Sequence, residues 1–283
     1  MGFVPVPFPK SFRSDLIKDI RTPNVIRKFR RTSAIFQPMR IGLFIPCYIN
    51  QFYPRVGVAT LELLEKLGCR VTYPLDQTCC GQPMANTGCE QDALATYRLF
   101  VSNFKDYDYI VTPSGSCAYH VRHHYDVLEQ TPAVTRVRER TLDLSEFLVD
   151  VLQVHSLEAR FPYRVGLHQS CHGLRGLRLG QDTERVGEDF SKIKSLLRQV
   201  QDLELVELDR PDECCGFGGT FAINEAAVSA KMGKDRLADH LRHGAEVITA
   251  SDMSCLMHLE GIIRRQQLPL RVVHLAEILN GAV

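Results

Sequence analysis

The segment Arg40-Ile41-Gly42-Leu43-Phe44-Ile45-Pro46-Cys47 has a counterpart in Arg164-Val165-Gly166-Leu167-His168-Gln169-Ser170-Cys171. Each segment contains a short apolar run that is followed by a cysteine, and such a run predicts a buried strand. After each run the chain continues with helical patterns, a double cysteine, and a further strand that leads to another cysteine. The recurrence of this order predicts that the fold is duplicated.

Apolar periodicity predicts the helices and strands that follow each run. In the first half they are a helix over 55–68, a strand over 71–73, a helix over 90–105 and a strand over 108–112. In the second half they are a helix over 184–200, a strand over 204–208, a helix over 222–243 and a strand over 246–250. Because strands and helices alternate, we predict an α/β protein with two duplicated domains, each a small, mostly parallel sheet flanked by helices.

The N-terminal segment differs in charge from the rest of the chain. Residues 1–40 hold nine Lys or Arg and two Asp, so they carry +7 and the remainder carries −6. We predict that residues 1–38 form a disordered basic extension. The alternatives are a segment that contacts an anionic membrane or nucleic acid, and a transit peptide. Met39 is an alternative start, because regular patterning begins directly after it. The two domains are predicted at 39–155 and 156–283.

Composition is that of an ordinary globular protein, with 283 residues, 45% hydrophobic and 24% charged. No apolar run reaches about 18 residues, so no transmembrane helix is expected, and no secretory signal is expected either. Without such a signal, ten cysteines favour reduced thiols, for metal binding or redox chemistry, over disulfides. No G-x-G-x-x-G follows a predicted strand, so a nicotinamide or flavin site of that kind is not expected.

Eight of the ten cysteines form one pattern that occurs twice. The first cysteine set consists of Cys47, Cys79, Cys80 and Cys117, and the second cysteine set consists of Cys171, Cys214, Cys215 and Cys255. The members follow predicted strands, and ligands bind at the carboxyl ends of strands in open α/β sheets. Each set is therefore predicted to meet at one edge of one sheet.

Adjacent cysteines favour a multi-iron cluster over a single ion. Structural zinc sites usually take their ligands in C-x2-4-C pairs, which neither set contains. Successive side chains of an extended backbone diverge, so two adjacent thiolates suit different irons of one cluster. Gly81 and Gly216 follow the double cysteines and predict a turn whose N–H groups face the cluster. A zinc-stabilised, non-enzymatic interaction protein is the alternative from a different class.

Six short motifs carry a resemblance to a known family. They are Phe44–Cys47, Cys79–Pro83, Pro113–Cys117, His168–His172, Cys214–Phe221 and Asp252–His258. Through them residues 40–280 resemble the cysteine-rich (CCG) domain family, and most of all its lactate-utilization members. The family also includes one of the subunits of heterodisulfide reductase, one of those of anaerobic glycerol-3-phosphate dehydrogenase, and the iron–sulfur subunit of glycolate oxidase.

The resemblance implies two iron–sulfur clusters in a cytoplasmic oxidoreductase subunit that helps to oxidise L-lactate to pyruvate. It also implies two partner proteins in the same complex, one of which carries ferredoxin-like clusters. Another 2-hydroxy acid, or a thiol–disulfide substrate, is the alternative. Lactate chemistry itself is not visible in the motifs, and no catalytic residue is assigned.

The chain departs from the reductase members at one position in each half. Those members end their motif with C-x-x-C, whereas Ser114 and Asp252 replace the first cysteine of that pair here. Four thiolates suffice for a [4Fe–4S] cluster, so the departure favours electron transfer over disulfide cleavage. We predict that Ser114 and Asp252 make hydrogen bonds near the clusters, with an oxygen ligand from either residue as the alternative.

Of the four histidines within three residues of these cysteines, His120, His168, His172 and His258, we prefer His172 and His258 for a role beside the clusters, with a structural hydrogen bond as the alternative for each. Cys69 and Cys89 are predicted to be plain thiols.

Overall fold

A computed structural model describes residues 39–281 of the chain. The extension predicted over 1–38 lies outside the described residues, as do residues 282–283. Between residues 39 and 281, no helix combines the length and the apolar character needed to cross a membrane.

Eight strands form two four-stranded sheets, and every pairing within them is parallel. The strands of the first sheet are Arg40–Leu43 (β1), Arg70–Thr72 (β2), Tyr109–Thr112 (β3) and Thr141–Asp143 (β4). Those of the second are Arg164–Leu167 (β5), Glu204–Val206 (β6), Val247–Thr249 (β7) and Arg271–Val272 (β8). Their spatial orders are β2-β1-β3-β4 and β6-β5-β7-β8. This topology confirms the prediction of a duplicated α/β fold.

The two sheets have the same strand register as well as the same strand order. Ile41 of β1 pairs with Val71 and Tyr109 on its two sides. Its counterpart Val165 of β5 pairs with Leu205 and Val247. Strands buried by helices on both faces read as continuous apolar runs, which explains why these short strands show little alternation.

Helices connect the strands in both halves. In the first half they are Cys47–Phe52, Pro54–Lys66, Gln82–Asn86, Glu90–Phe104, Gly115–His124, Pro132–Arg140 and Leu144–Glu146. In the second half they are Lys192–Leu197, Phe221–Asn224, Ala226–Arg242, Met253–Gln266 and Leu275–Asn280. Single turns of other helical type cover Tyr125–Val127, Phe147–Val151 and His172–Gly176.

Two predicted helices of the second half are wrong in extent. The helix predicted over 184–200 forms only over Lys192–Leu197, because Ser191 caps it by accepting from the Lys194 N–H. The preceding residues form a loop that a bridge between Gly180 and Ser191 closes. The helix predicted over 222–243 is broken at Glu225, where φ is −118° and ψ is 46°.

The two sheets share one apolar core. The helix Pro54–Lys66 of the first half packs against Leu275–Asn280 of the second. Lys66 Nζ donates to the Asn280 carbonyl at 2.9 Å, and Asn280 Nδ2 donates to Glu62 at 2.6 Å. Buried residues of both halves join this core, so the domain boundary near residue 155 stays a prediction.

Candidate metal centre

The first cysteine set lies at the carboxyl edge of the first sheet. Cys47 begins the helix that follows β1, and Cys117 lies in the first turn of the helix that follows β3. Cys79 and Cys80 follow β2 in the loop before Gln82–Asn86. Because β2, β1 and β3 are neighbours, the three segments meet at one place. The second set is arranged in the same way around β6, β5 and β7.

Thiols within the first set are in direct contact. The Sγ atoms of Cys47 and Cys79 are 3.7 Å apart, and those of Cys80 and Cys117 are 3.4 Å apart. All ten cysteines of the chain lie between residues 47 and 255, and all are free thiols. The contacts therefore gather four ligand atoms without a disulfide bond.

One thiol in each set favours the thiolate form. Hydrogen bonds with Cys47 and Cys80 lower the pKa of Cys79 below its usual value. Hydrogen bonds with Cys171 and Cys215 lower the pKa of Cys214 in the same way. The pKa of Cys47 is raised in return, chiefly by its hydrogen bond to Cys79. Since the thiolate is the form that ligates metals, both sets are suited to a metal centre.

The backbone around both double cysteines has the same geometry. The Gly81 N–H donates to Cys79 Sγ at 3.3 Å, and the Gly216 N–H donates to Cys214 Sγ at 3.3 Å. Both glycines have φ of 87°, which residues with a side chain rarely adopt. A Cβ on Gly216 would also lie 2.7 Å from the Ser229 carbonyl oxygen. Glycine at these positions thus lets the chain turn back onto its own thiolate.

Both sets open onto one cavity of about 410 Å³. Six cysteines line it, namely Cys47, Cys117, Cys171, Cys214, Cys215 and Cys255. Tyr48 of the first half and Phe217 of the second also line it, with their rings edge to face at 5.9 Å. No Lys or Arg is among the described residues that line this cavity. The two thiol sets therefore face a shared, largely apolar space.

Ser114 and Asp252 meet between the two sets. Ser114 Oγ donates to Asp252 Oδ1 at 2.9 Å, and Ser116 Oγ donates to the same atom at 2.7 Å. The Ser116 N–H donates to Asp252 Oδ2 at 2.8 Å. All three residues are buried and line the cavity. The two positions at which the reductase members carry cysteine are thus joined by a hydrogen bond.

The histidines preferred from the sequence have different surroundings. His172 lines the shared cavity, where its ring packs on Tyr119 at 5.1 Å. His258 lines a separate, open cavity of about 560 Å³, and its Nε2 lies 3.4 Å from the Ser229 carbonyl oxygen. A third histidine, His168, is not one of the preferred pair. It places a ring nitrogen within 4.8 Å of the Cys215 and Cys255 sulfurs.

Two further residues position the cysteine loops and were missed by sequence reasoning. Gln77 accepts from the Ile45 N–H at 2.8 Å and donates to the Leu43 carbonyl at 3.0 Å, so it fixes the loop before Cys79 to the end of β1. In the second half Arg236 donates to the equivalent carbonyl, that of Leu167, at 3.3 Å. Arg236 also donates to the Arg210 carbonyl in the loop before Cys214.

The cysteine-bearing segments coincide with a known family. The CCG cysteine-rich domain matches the chain twice, over residues 41–122 and 165–260. The chain belongs to the CCG family. Both matches contain a complete cysteine set, so the duplicated motif of this family and the duplicated sheet describe the same repeat.

CCG relatives match this chain over most of its length. Lactate utilization protein A of Geobacillus thermodenitrificans (strain NG80-2) is 39% identical over 246 residues, which cover 86% of this chain and 99% of the relative. Lactate utilization protein A of Bacillus subtilis (strain 168) is 35% identical over 247 residues, which cover 86% of this chain and 100% of the relative.

A solved structure with a similar fold is that of a hypothetical protein from Helicobacter pylori. Its TM-score is 0.57 at 13% identity, and the match covers 86% of this chain. This CCG chain spans about half, 49%, of that chain. At this identity the likeness extends to the fold alone.

Proposed function

We propose that the chain is an iron–sulfur electron-transfer subunit for lactate utilization, with one [4Fe–4S] cluster in each cysteine set. The observation that carries the proposal is the pair of thiol sets at equivalent sheet edges, each with four free thiols. Iron–sulfur clusters are held by four thiolates and exchange single electrons when bound. Free thiols also fit a reducing compartment, so we place the function in the cytoplasm.

The backbone supports a thiolate-bound group in both sets. The Gly81 and Gly216 N–H groups already donate to the thiolate sulfurs at 3.3 Å. Such hydrogen bonds stabilise ligands that carry negative charge and help to set the properties of the metal they hold. Neither set contains the closely spaced C-x2-4-C pair typical of structural zinc sites, which favours iron–sulfur binding over zinc.

The shared cavity supports electron transfer rather than oxidation of lactate in this subunit. A buried carboxylate requires a cation or several N–H donors. The described residues that line the cavity include no Lys or Arg; His172 is their one basic side chain, and Asp252 is acidic. We therefore propose that a partner oxidises lactate and that this subunit passes the electrons on. Two partners are proposed, one of which carries ferredoxin-like clusters.

Iron and sulfide quantification after anaerobic reconstitution tests the cluster assignment. We expect about eight irons per chain, with broad absorbance that bleaches on reduction and a paramagnetic resonance signal. Cys79→Ser and Cys214→Ser should each lose about half of the iron, because each removes one ligand of one cluster. Cys89→Ser is the matched control, since Cys89 is exposed and outside both sets. Stoichiometric zinc without iron in the wild type would contradict the proposal.

Growth tests the lactate assignment separately. A strain without this gene should fail to grow on lactate and should still grow on glycolate. The wild-type gene and Cys89→Ser should restore growth on lactate, whereas Cys79→Ser should not. Failure on glycolate alone would assign the subunit to a different 2-hydroxy acid.

A further inference from the structure

His168 and Phe44 hold equivalent positions at the ends of the two sheets. Each is the first residue after the central strand of its sheet, β5 or β1. The Phe44 N–H donates to the Val111 carbonyl at 2.9 Å, and the His168 N–H donates to the Thr249 carbonyl at 2.8 Å. The backbone is therefore duplicated at this point, while the side chain is not.

Phe44 completes an apolar cluster in the first half. Its ring meets those of Phe100 and Phe104 edge to face, at 4.9 and 5.9 Å. No ring nitrogen can approach the first cysteine set from this position. A polar contact that His168 makes with the second set thus has no counterpart at the equivalent position of the first half; the buried imidazole near the first set, that of His120, comes from a different element and is already paired with Tyr97 at 3.0 Å.

The imidazole of His168 is completely buried and has no protein partner. Its exposed fraction is 0%, and neither ring nitrogen is hydrogen-bonded to any described residue. An imidazole carries at least one N–H whether it is neutral or charged, so the ring brings a donor into this buried place. An unsatisfied buried donor costs about 1–3 kcal/mol. That cost indicates that a partner is supplied by a group the protein binds.

The position of the ring indicates where that partner lies. A ring nitrogen is within 4.8 Å of the Cys215 and Cys255 sulfurs, both of which belong to the second set. The buried cation nearby, Arg236, has no acceptor to offer, and it is already bound to Asp239, Arg210 and Leu167. The sulfurs of Cys215 and Cys255 are thus acceptors that this site presents to the His168 N–H, alongside the buried and likewise unpartnered ring of His240.

We propose that His168 donates a hydrogen bond to sulfur of the cluster in the second set, and that this contact gives the second cluster a higher reduction potential than the first. The inference rests on the proposed iron–sulfur function. Reduction adds negative charge to a cluster, and a hydrogen bond to its sulfur stabilises the more negative state. Phe44 gives the first cluster no such donor, so the duplicated sites become unequal in potential.

A potentiometric titration of the reconstituted full chain, followed by electron paramagnetic resonance, tests this. Wild type should show two transitions. His168→Phe, which copies the first half, should lower the higher midpoint potential and leave the lower one unchanged. Phe44→Leu is the matched control, and it should leave the higher potential unchanged. Electron–nuclear double resonance should show a proton coupling that exchanges in D2O and is lost in His168→Phe.

His168→Gln keeps the proposal testable if His168→Phe loses iron from the second set. The amide retains an N–H, so we expect this variant to keep its iron and a midpoint potential between those of wild type and His168→Phe. Unchanged potentials in His168→Phe with full iron content would overturn the proposal. A second result would also overturn the proposal: a His168→Gln protein that has lost the exchangeable proton coupling and yet keeps both midpoint potentials of the wild type. If the wild type contains iron, either of these two results overturns only the role of His168 and leaves the iron–sulfur assignment intact. Zinc without iron in the wild type would overturn the iron–sulfur assignment and the role of His168 together.

Discussion

Ser114 donates a hydrogen bond to Asp252 across the two halves, with 2.9 Å between Oγ and Oδ1. Each residue lies three positions before the last cysteine of its set. Asp252 immediately precedes the helix Met253–Gln266 but makes no capping hydrogen bond to it. Its carboxylate instead accepts from the Ser116 N–H in the first turn of Gly115–His124. A carboxylate stabilises a helix N-terminus, so Asp252 fixes the start of the helix that carries Cys117.

Removal of the Asp252 carboxylate should destabilise the protein strongly. Asp252→Ala removes the acceptor of three hydrogen bonds and leaves the Ser116 N–H buried without a partner, so we expect the free energy of unfolding to fall by about 3 kcal/mol. Ser114→Ala removes one of these three bonds together with the capping bond from the Cys117 N–H at 3.4 Å, and it should cost about 1–2 kcal/mol. Denaturant unfolding of the metal-free protein measures both. Asp235→Ala is the control, because its pair with Lys231 is exposed and should contribute less than about 1 kcal/mol. Equal losses for Asp252→Ala and Asp235→Ala would contradict this account.

Alanine at Gly216 should disrupt the second set more than alanine at an unconstrained glycine. Gly216 has φ of 87°, and a Cβ at this position would lie 2.7 Å from the Ser229 carbonyl oxygen. Because that oxygen belongs to the backbone, it cannot rotate away as the end of a side chain can. Gly68→Ala is the matched control, since Gly68 has φ of 82° and nothing within 4 Å of such a Cβ. We expect about 1–2 kcal/mol for Gly68→Ala, from the left-handed backbone alone, and a larger loss for Gly216→Ala. Iron content should fall only in Gly216→Ala, and equal effects in the two variants would refute the steric explanation.

Local patterns were sufficient to predict the fold class and the order of most elements. The strands at β1, β3, β5 and β7 are short apolar runs, and such runs are visible in the sequence. Strands β4 and β8 span three and two residues, which is too short for a periodic signal. The helix predicted over 184–200 failed for a tertiary reason, since the bridge between Gly180 and Ser191 holds the first part as a loop.

The cysteine sets were visible in the sequence, whereas the contacts that join them were not. The repeated sequence motifs around the double cysteines identify both sets without knowledge of the fold. Ser114 and Asp252 are 138 positions apart, and their contact depends on how the two halves pack. Gln77 and Arg236 donate hydrogen bonds to equivalent carbonyls, those of Leu43 and Leu167, but they lie at unrelated positions of the two halves. No repeated motif therefore indicates that both residues hold a cysteine loop.

Arg236 should be essential for stability because it is buried together with a carboxylate. Its side chain and that of Asp239 are both 0% exposed, with 3.3 Å between the charged groups. Arg236→Met leaves Asp239 without its buried partner and releases the Leu167 carbonyl, so we expect a loss of about 3–5 kcal/mol. Arg160→Met is the control, since that side chain is 65% exposed, pairs with the exposed Asp202 and should cost about 1 kcal/mol or less. The midpoint of urea unfolding measures the difference, and similar midpoints for the two variants would contradict it.

The contribution of His274 to stability should depend on pH. His274 Nδ1 accepts from the Ala276 N–H at 3.1 Å, which requires the neutral ring, while Nε2 donates to the Pro113 carbonyl at 3.1 Å. Burial lowers the pKa of His274 to about 4, below the value of about 6.5 in the unfolded chain. Below pH 6.5 the unfolded chain binds a proton that the folded protein does not, so this stability is present above pH 6.5 and is lost towards pH 4.

His274→Gln removes the titrating group, so its cost should be larger at pH 8 than at pH 5. The expected difference is about 2 kcal/mol, since 1.5 pH units below the unfolded pKa correspond to about 1.4 kcal/mol each. Denaturant unfolding of wild type and variant at both pH values measures this difference. His155→Gln is the control, because that side chain is exposed and should have little effect at either pH. A cost of His274→Gln that stays the same at pH 5 and pH 8 would show that the ring titrates alike in the folded and unfolded chains.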